Sequence, residues 1–527
     1  MKNNTTDINH AELDALIKRV EQAKEHQLTL SSEDCQLLID TLLTLATLQE
    51  QMACSDITIN KLRKLSGIVA SSERLKSNLS KPNKSGKKIN KQRRKPATAA
   101  VKPEVIHHKL EELSKGDICP ECTTGKVYKF KPATLLRITG QSPFTPEQHI
   151  MERLRCNTCG AYFTAKVSEE VLADGEVTQK YGYSARAIIA IAKYGMGSPF
   201  YRQESLQSQL GVPITASTQF NQVEHLANDI TPVFYALKKL SGNASKYYLD
   251  DTTKRILKAK PVEKKRRNSD KTQMRCGIYT SGLIAQVEEH EIVLFKTNIG
   301  HAGEFIDEIL TPRDNTLSAP ILMSDALSHN QPTVCRVEKT LCNSHARRQF
   351  YDVYSHFTEE VENILEKYKQ IWIADDEAQK QGLTGKKRLA YHQIHSLPVM
   401  ESIKQWGEER LKDETVEENS GLGKAIKYFL KHYQWLIAFC EVEDAPLDNN
   451  RIESQLKLIV RDRKNAMFHQ TEVGAGIADI ADIITSIIAT CSVGEVNIFE
   501  YLQWLQRESE AVRVEPEKYL PWCYPTA

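Results

Sequence analysis

Between residues 246 and 343 the chain alternates short apolar runs with turn residues, and two of those runs end in aspartate. Lys246-Tyr247-Tyr248-Leu249-Asp250-Asp251-Thr252 is a β-type run, Cys276-Gly277-Ile278-Tyr279-Thr280 a second, and Glu291-Ile292-Val293-Leu294-Phe295 a third. A helix follows near residues 303–310, and then Pro320-Ile321-Leu322-Met323-Ser324-Asp325 delivers an acid at its end. Lys339-Thr340-Leu341-Cys342-Asn343 makes a fifth strand, leading into His345-Ala346-Arg347-Arg348-Gln349-Phe350. The pattern calls for an α/β domain with a sheet of five strands.

Three strands, a helix, a strand ending in aspartate, another strand and then helices is the order of an RNase H-like fold. In that order the first and fourth strands lie side by side, which brings Asp250 and Asp325 together. A third acid stands on a later helix. Asn450 and Glu453 have capping-box spacing, Ile452, Leu456 and Ile459 form an apolar stripe, and Glu453, Lys457, Arg461 and Lys464 share the adjoining face. Three hard oxygen donors, Asp250, Asp325 and Glu453, suit a pair of Mg²⁺ ions roughly 3.5 to 4 Å apart. Each acid also has a structural reading: a turn before Thr252-Thr253, a cap for a helix from Ala326 to His329, and the capping box itself.

At 527 residues the chain is long enough for several domains. Residues 1–66 read as an N-terminal helical region; Ser31 and Asp34 resemble a cap, and Leu38, Leu42, Leu45 and Met52 approach heptad spacing, which fits either a coiled coil or a helix hairpin. From Lys61 to Lys102 there are fourteen Lys or Arg and one acid, Glu73, so residues 67–105 are expected to be a disordered basic linker suited to nucleic acid or simply solvated. Cys119-Pro120-Glu121-Cys122 and Cys156-Asn157-Thr158-Cys159 are two C-x-x-C knuckles within residues 106–170, read as a zinc-ribbon-like module with one structural Zn²⁺ on Cys119, Cys122, Cys156 and Cys159, the alternative being unpaired or redox thiols. Residues 171–244 are helical, with Leu206 to Gln222 open to reading as a helix-turn-helix or a packed hairpin.

The RNase H-like core then occupies residues 245–357 and 446–510, split by a helical insertion over 358–445, and residues 511–527 form a C-terminal tail with Leu520-Pro521-Trp522 docking. The sequence opens Met1-Lys2-Asn3-Asn4 without an apolar leader, and no run approaches the roughly 18 apolar residues of a membrane span. A cytoplasmic protein without membrane contact is expected, associated with the nucleoid when bound to DNA.

These motifs resemble the transposases of the insertion sequence 66 family over nearly the whole chain. Leu249-Asp250-Asp251-Thr252 is similar to that family's Asp-Glu-Thr motif, Ser324-Asp325 to its second aspartate, and His345-Ala346-Arg347-Arg348-Gln349-Phe350 to its His-Ala-Arg-Arg-Lys-Phe element. Asp448-Asn449-Asn450-Arg451-Ile452-Glu453, followed by Arg463-Lys464-Asn465, resembles its most recognisable signature, and Pro199-Phe200-Tyr201-Arg202-Gln203 and the paired knuckles also fit. Asp251 stands where Glu is usual, Gln349 where Lys is common, and Ala466-Met467 where an aromatic-Leu pair is usual.

The resemblance implies an Asp-Asp-Glu transposase with catalysis on Asp250, Asp325 and Glu453, and small accessory proteins encoded beside it. The expected reaction is Mg²⁺- or Mn²⁺-dependent cleavage of double-stranded DNA at element ends and joining to target DNA, by a homodimer or higher oligomer. His345, Arg347, Arg348, Arg451, Lys457, Arg461 and Lys464 are expected to contact the phosphate backbone. A catalytically inactive DNA-binding regulator and an RNase H-like nuclease that cuts without joining are the alternatives.

Overall fold

The structure, a computed structural model, describes residues 19–20, 22–23, 30–38, 115–118, 124, 126–128, 142–155, 162–257, 261–265, 272–275, 277–466, 469 and 480–525. Contacts divide the chain into Met1–Asn90 and Lys91–Ala527. In the first unit residues 32–38 are helical, and the Ser31 hydroxyl accepts from the Asp34 amide at 3.1 Å, the expected cap. The heptad positions Leu42, Leu45 and Met52, the basic segment 67–105 and the four knuckle cysteines lie outside the described residues.

In the second unit, antiparallel pairing flanks both knuckles: Ile118 bridges Lys126, and Arg153–Arg155 pairs with Tyr162–Thr164. Helix α1 (Tyr183–Ala190) runs on into a π turn, Ile191–Gly195, and ends where Gly197 takes φ +72°. A side chain at Gly197 would strain that backbone and crowd the main chain of Arg461 and Asp462. After α2 (Phe200–Gln209), Gly211 at φ +82° turns the chain into α3 (Ala216–Ser241), capped by Thr215. Within the segment from Leu206 to Gln222, Gln219 is buried and donates to the Ile214 carbonyl at 2.8 Å, while Gln222 accepts from Arg186 at 3.1 Å. Ser217 and Asn221 on the same helix are exposed.

Five strands form the central sheet: β1 (Lys246–Lys254), β2 (Ile278–Val287), β3 (His290–Asn298), β4 (Ile321–Ser324) and β5 (Glu338–Leu341). Their spatial order is β3-β2-β1-β4-β5, with β1 and β2 antiparallel, β2 and β3 antiparallel, and β4 parallel to both of its neighbours. The first and fourth strands are thus adjacent, as expected. No turn interrupts β1 at Asp250-Asp251. The second strand differs from its expected extent, because Ser281–Val287 continues it, with Leu283, Ile284 and Ala285 buried. Val262–Lys265 and Thr272–Arg275 form a separate antiparallel pair.

Helix α4 (Ala302–Leu310) links β3 to β4, and α5 (Asn343–Asp352) follows β5 directly. The insertion contains α6 (Thr358–Lys380), α7 (Gly385–His395), α8 (Leu397–Lys412) and α9 (Gly421–Leu436). The chain returns through α10 (Asn450–Ala466), α11 (Ile480–Val493) and α12 (Ile498–Arg507). The sheet separates two apolar layers. One side meets α1, α3, α4 and α12 through residues such as Leu249, Leu283 and Leu294; the other meets α10 through Tyr248, Ile284 and Phe295. Leu520 is buried in the first layer and Trp522 stacks on His290 at 4.3 Å, so the tail docks.

Candidate active site

The site begins with the alternation of β1. Tyr247, Tyr248 and Leu249 are buried, which fixes the register, and the two acids that follow point to opposite faces of the sheet. Tyr248 pairs with Met323 across the parallel β1–β4 ladder, so Asp250 and Asp325 each lie two residues beyond a matched pair, at the same edge. Asp250 accepts the Asp251 amide at 2.8 Å. Burial pushes its carboxyl up to about 7; the Asp251 amide opposes that shift, and the charges of Asp325 and Glu453 add to it. The Asp250 carboxyl thus feels the charges of both other predicted acids, while the described donor atoms that lie within 4.8 Å of one another do not bring the three together as one group.

Asp325 combines this position with its structural reading. Its Oδ1 accepts the Leu327 amide at 3.1 Å and the Asn330 side-chain amide at 2.7 Å, organising a short 3₁₀ turn, Ser328–Asn330. One carboxylate oxygen is thereby anchored, which orients the other.

Glu453 arrives on α10, whose Ile452, Leu456 and Ile459 pack on the sheet. The helix comes close because β2 carries Gly282 directly opposite Asp250; a Cβ there would stand 3.1 Å from both Ile452 and Leu456. The expected capping box is not formed. Asn450 is the first helical residue and its side chain donates to Asp448 at 2.7 Å, while the Glu453 amide donates to the Asn449 carbonyl. Asn449 instead fixes the helix start, its buried side chain donating to the Leu249 carbonyl at 2.9 Å, one residue before Asp250. Glu453 is thus free of a capping role, and its Oε1 is buried without a hydrogen-bond partner among the described residues.

His345 lies against that acid: His345 Nδ1 and Glu453 Oε1 are 3.8 Å apart, too far for a hydrogen bond. Cys342 completes a group whose donor atoms lie within 4.8 Å of one another; burial pushes its thiol up to about 12. His345 is therefore half-buried beside Glu453 instead of standing out toward solvent.

The other predicted cations separate into two sets. Lys457, Arg461 and Lys464 are exposed along α10, and Arg348 is exposed on α5. Arg451 is paired with Glu291 at 2.7 Å, and Arg347 is half-buried with its guanidinium 5.9 Å from the Tyr351 ring. Burial lowers the Arg347 pKa.

Sequence reasoning missed several positioning residues. Arg463 donates to the Thr252 hydroxyl at 3.1 Å and to the Thr253 carbonyl, tying α10 to β1 beyond Asp250. Trp372 of α6 donates to Asp448 at 3.0 Å, so the insertion is fastened to the turn that launches α10. Lys193 of the π turn forms a buried ion pair with Asp462. Asn449 and Arg463 lie inside motifs that were visible; the spacing alone gave no sign of what their side chains reach.

These features define an α/β protein in which Asp250 and Asp325 lie just beyond the parallel β1–β4 pairing and Glu453 stands on a helix packed against the same face of the sheet. The sequence profile described as Transposase IS66 family matches residues 179–477, which include all three acids, and the chain belongs to that family. It is also similar to three proteins of Sinorhizobium fredii, each named only as uncharacterized. The first, y4hP, is 23% identical over 402 residues, 71% of this chain and 67% of the relative. Against y4jD the identity is 34% over 152 residues, 28% of each chain. Against y4qI it is 23% over 357 residues, 64% of this chain and 62% of the relative, so this chain spans less than two thirds of y4qI. Among the described residues no helix is long and apolar enough to cross a membrane.

Proposed function

We propose that this chain is a DNA transposase that cuts and joins phosphodiesters through Asp250, Asp325 and Glu453 on an RNase H-like core. The observation that carries this reading is the parallel β1–β4 ladder, which sets Asp250 and Asp325 two residues beyond the same matched pair, with the charges of Asp325 and Glu453 both acting on the half-buried Asp250 carboxyl. The strand order β3-β2-β1-β4-β5 and the family membership support it. The donor set fits divalent cations: the three acids offer hard carboxylate oxygens, and one of them, on Glu453, is buried without a hydrogen-bond partner among the described residues. Asp250, Asp325 and Glu453 would hold two Mg²⁺ or Mn²⁺ ions, which when bound supply charge stabilisation at the attacking and leaving oxygens.

The chain's own residues supply placement. The parallel ladder sets Asp250 beside Asp325, Asn449 and Arg463 hold α10 against β1, and Lys457, Arg461 and Lys464 offer cations for the phosphate backbone. In the first displacement a water oxygen bonds to phosphorus as the bond to the 3′ oxygen breaks, leaving a 3′-hydroxyl on the element end. In the second, that 3′ oxygen bonds to a target phosphorus as the bond to the target's 3′ oxygen breaks, and the proton lost by the attacking hydroxyl is replaced, through solvent, on the leaving oxygen.

Cys119, Cys122, Cys156 and Cys159 are proposed to hold one structural Zn²⁺, a reading supported by the antiparallel pairs flanking both knuckles. Assembly of at least two chains on paired element ends, with small accessory proteins, belongs to the same proposal.

The test combines labelled element-end DNA, a target plasmid and Mg²⁺. Joined product is expected from the wild type. It should disappear in Asp250→Ala, Asp325→Ala and Glu453→Ala while DNA binding persists. Strand transfer retained by any variant removes that residue from the mechanism; wild-type binding alone indicates a regulator, and nicking without joining a nuclease.

A further inference from the structure

Asp251 turns away from Asp250 and meets two histidines on the opposite face of β1. Its Oδ2 lies 3.3 Å from His301 Nδ1 and accepts the Ala302 amide at 3.4 Å, at the start of α4. The His301 ring packs against His329 with centroids 4.1 Å apart and against Tyr279 at 4.3 Å. One donor atom from each of Asp251, His301 and His329 lies within 4.8 Å of the other two. All three residues are half-buried, a setting that shields an ion while leaving it a way in.

We propose that Asp251, His301 and His329 form a second metal site, selective for a transition-metal ion such as Zn²⁺ and separate from the Asp250, Asp325 and Glu453 centre. Two imidazoles and one carboxylate favour Zn²⁺ over Mg²⁺, whose preferred ligands are oxygens. Ligands of one tetrahedral Zn²⁺ stand about 3.3 to 3.5 Å apart, given bonds of roughly 2.0 to 2.1 Å. Asp251 and His301 already have that separation, and His329 joins them by turning its ring. Three protein ligands leave the fourth position to water.

The site would join three elements: β1, the N-terminus of α4 and the 3₁₀ turn after β4. His329 immediately precedes Asn330, which donates to Asp325 at 2.7 Å. An ion at this site therefore steadies the turn that orients Asp325. The site does not depend on the proposed DNA chemistry, and its test uses no DNA.

The full-length chain is stripped with a chelator, dialysed against Zn²⁺ in excess Mg²⁺, and its bound zinc measured beside His329→Ala and His301→Gln. Both variants are expected to hold one Zn²⁺ per chain fewer than the wild type, with zinc at the cysteine knuckles unchanged. Cobalt substitution distinguishes the two environments, since the knuckles give thiolate-to-metal charge-transfer absorption and this site none. Zinc should also raise the melting temperature of the wild type more than that of His329→Ala. Equal zinc content in wild type and a His329→Ala protein of native circular dichroism overturns the proposal, and so does an equal zinc-induced melting shift. His329 is on a short turn, so its variant carries the test even if His301→Gln fails to fold.

Discussion

Asp250 faces Gly282 across the β1–β2 ladder, and the absence of a side chain at Gly282 is what lets Ile452 and Leu456 bring Glu453 to the same edge of the sheet. The distance from acid to acid is thus governed in part by a residue with no chemistry of its own. Gly282→Val is expected to push α10 outward and cost about 1 to 3 kcal/mol of stability through overpacking. Strand transfer should fall much further than DNA binding, and Gly282→Ala should be milder in both. Melting temperature and joined product, measured on the same preparations, check this; unimpaired joining by Gly282→Val would show that the helix approach is not limiting.

The raised Asp250 carboxyl makes metal-free stability depend on pH. Its folded value of about 7 exceeds the ordinary 3.8, so the folded state prefers the protonated form. The associated stability is fully present below 3.8 and is lost as pH rises through about 7. In the presence of a chelator, Asp250→Asn should be more stable than wild type at pH 8, by on the order of 2 to 4 kcal/mol, and the gap should close toward pH 4. Mg²⁺ should stabilise wild type and leave the variant little changed. Denaturant titrations at the two pH values give the comparison.

Lys193 and Asp462 join the π turn to α10 as a buried ion pair. Burial by itself would raise the Asp462 carboxyl, but His469, Lys193 and Lys254 together hold it well below the usual carboxylate range. Lys193→Met leaves that charge without its ion-pair partner and should cost about 3 to 5 kcal/mol, whereas Lys193→Met combined with Asp462→Leu should recover much of the loss. Because the folded pKa is depressed, the stability from Asp462 is present above the ordinary value of 3.8 and is lost as pH falls through the folded value. The advantage of wild type over Asp462→Asn should accordingly shrink in acid, as read by urea unfolding.

Lys457, Arg461 and Lys464 stand exposed on α10, whereas Arg451 is engaged by Glu291. Replacing each of the first three with Ala should weaken DNA binding for all sequences alike and lower the slope of log K against log salt by about 0.9 per residue. Arg451→Ala should change that slope less. An unchanged slope in the triple variant would remove this face of α10 from the DNA interface.

Much of the fold was legible in the sequence because strand signals are local. The apolar run Tyr247-Tyr248-Leu249 and the turn residues around Ile321–Ser324 specify strands wherever they are placed, and the element order suggested that Asp250 and Asp325 would be neighbours. The stripe of Ile452, Leu456 and Ile459 likewise announced the inward face of α10. Capping was misread at Asn450 because its spacing to Glu453 is equally compatible with a helix that starts one residue earlier, and only Asn449, by reaching the Leu249 carbonyl, settles where the helix begins.

The sequence by itself determined the alternation of strands and helices, the three acids and the column of cations, since these depend on side-chain type and on periods of two and 3.6 residues. Only the tertiary structure decided which atoms meet. Asp250 and Asp251 are identical residues in consecutive positions, yet the pleat sends one toward Asp325 and Glu453 and the other toward His301. Gly282, Asn449 and Trp372 take part through contacts with residues 32 to 200 positions away in the chain, a range over which no local pattern carries information. Their roles exist because packing closes those separations.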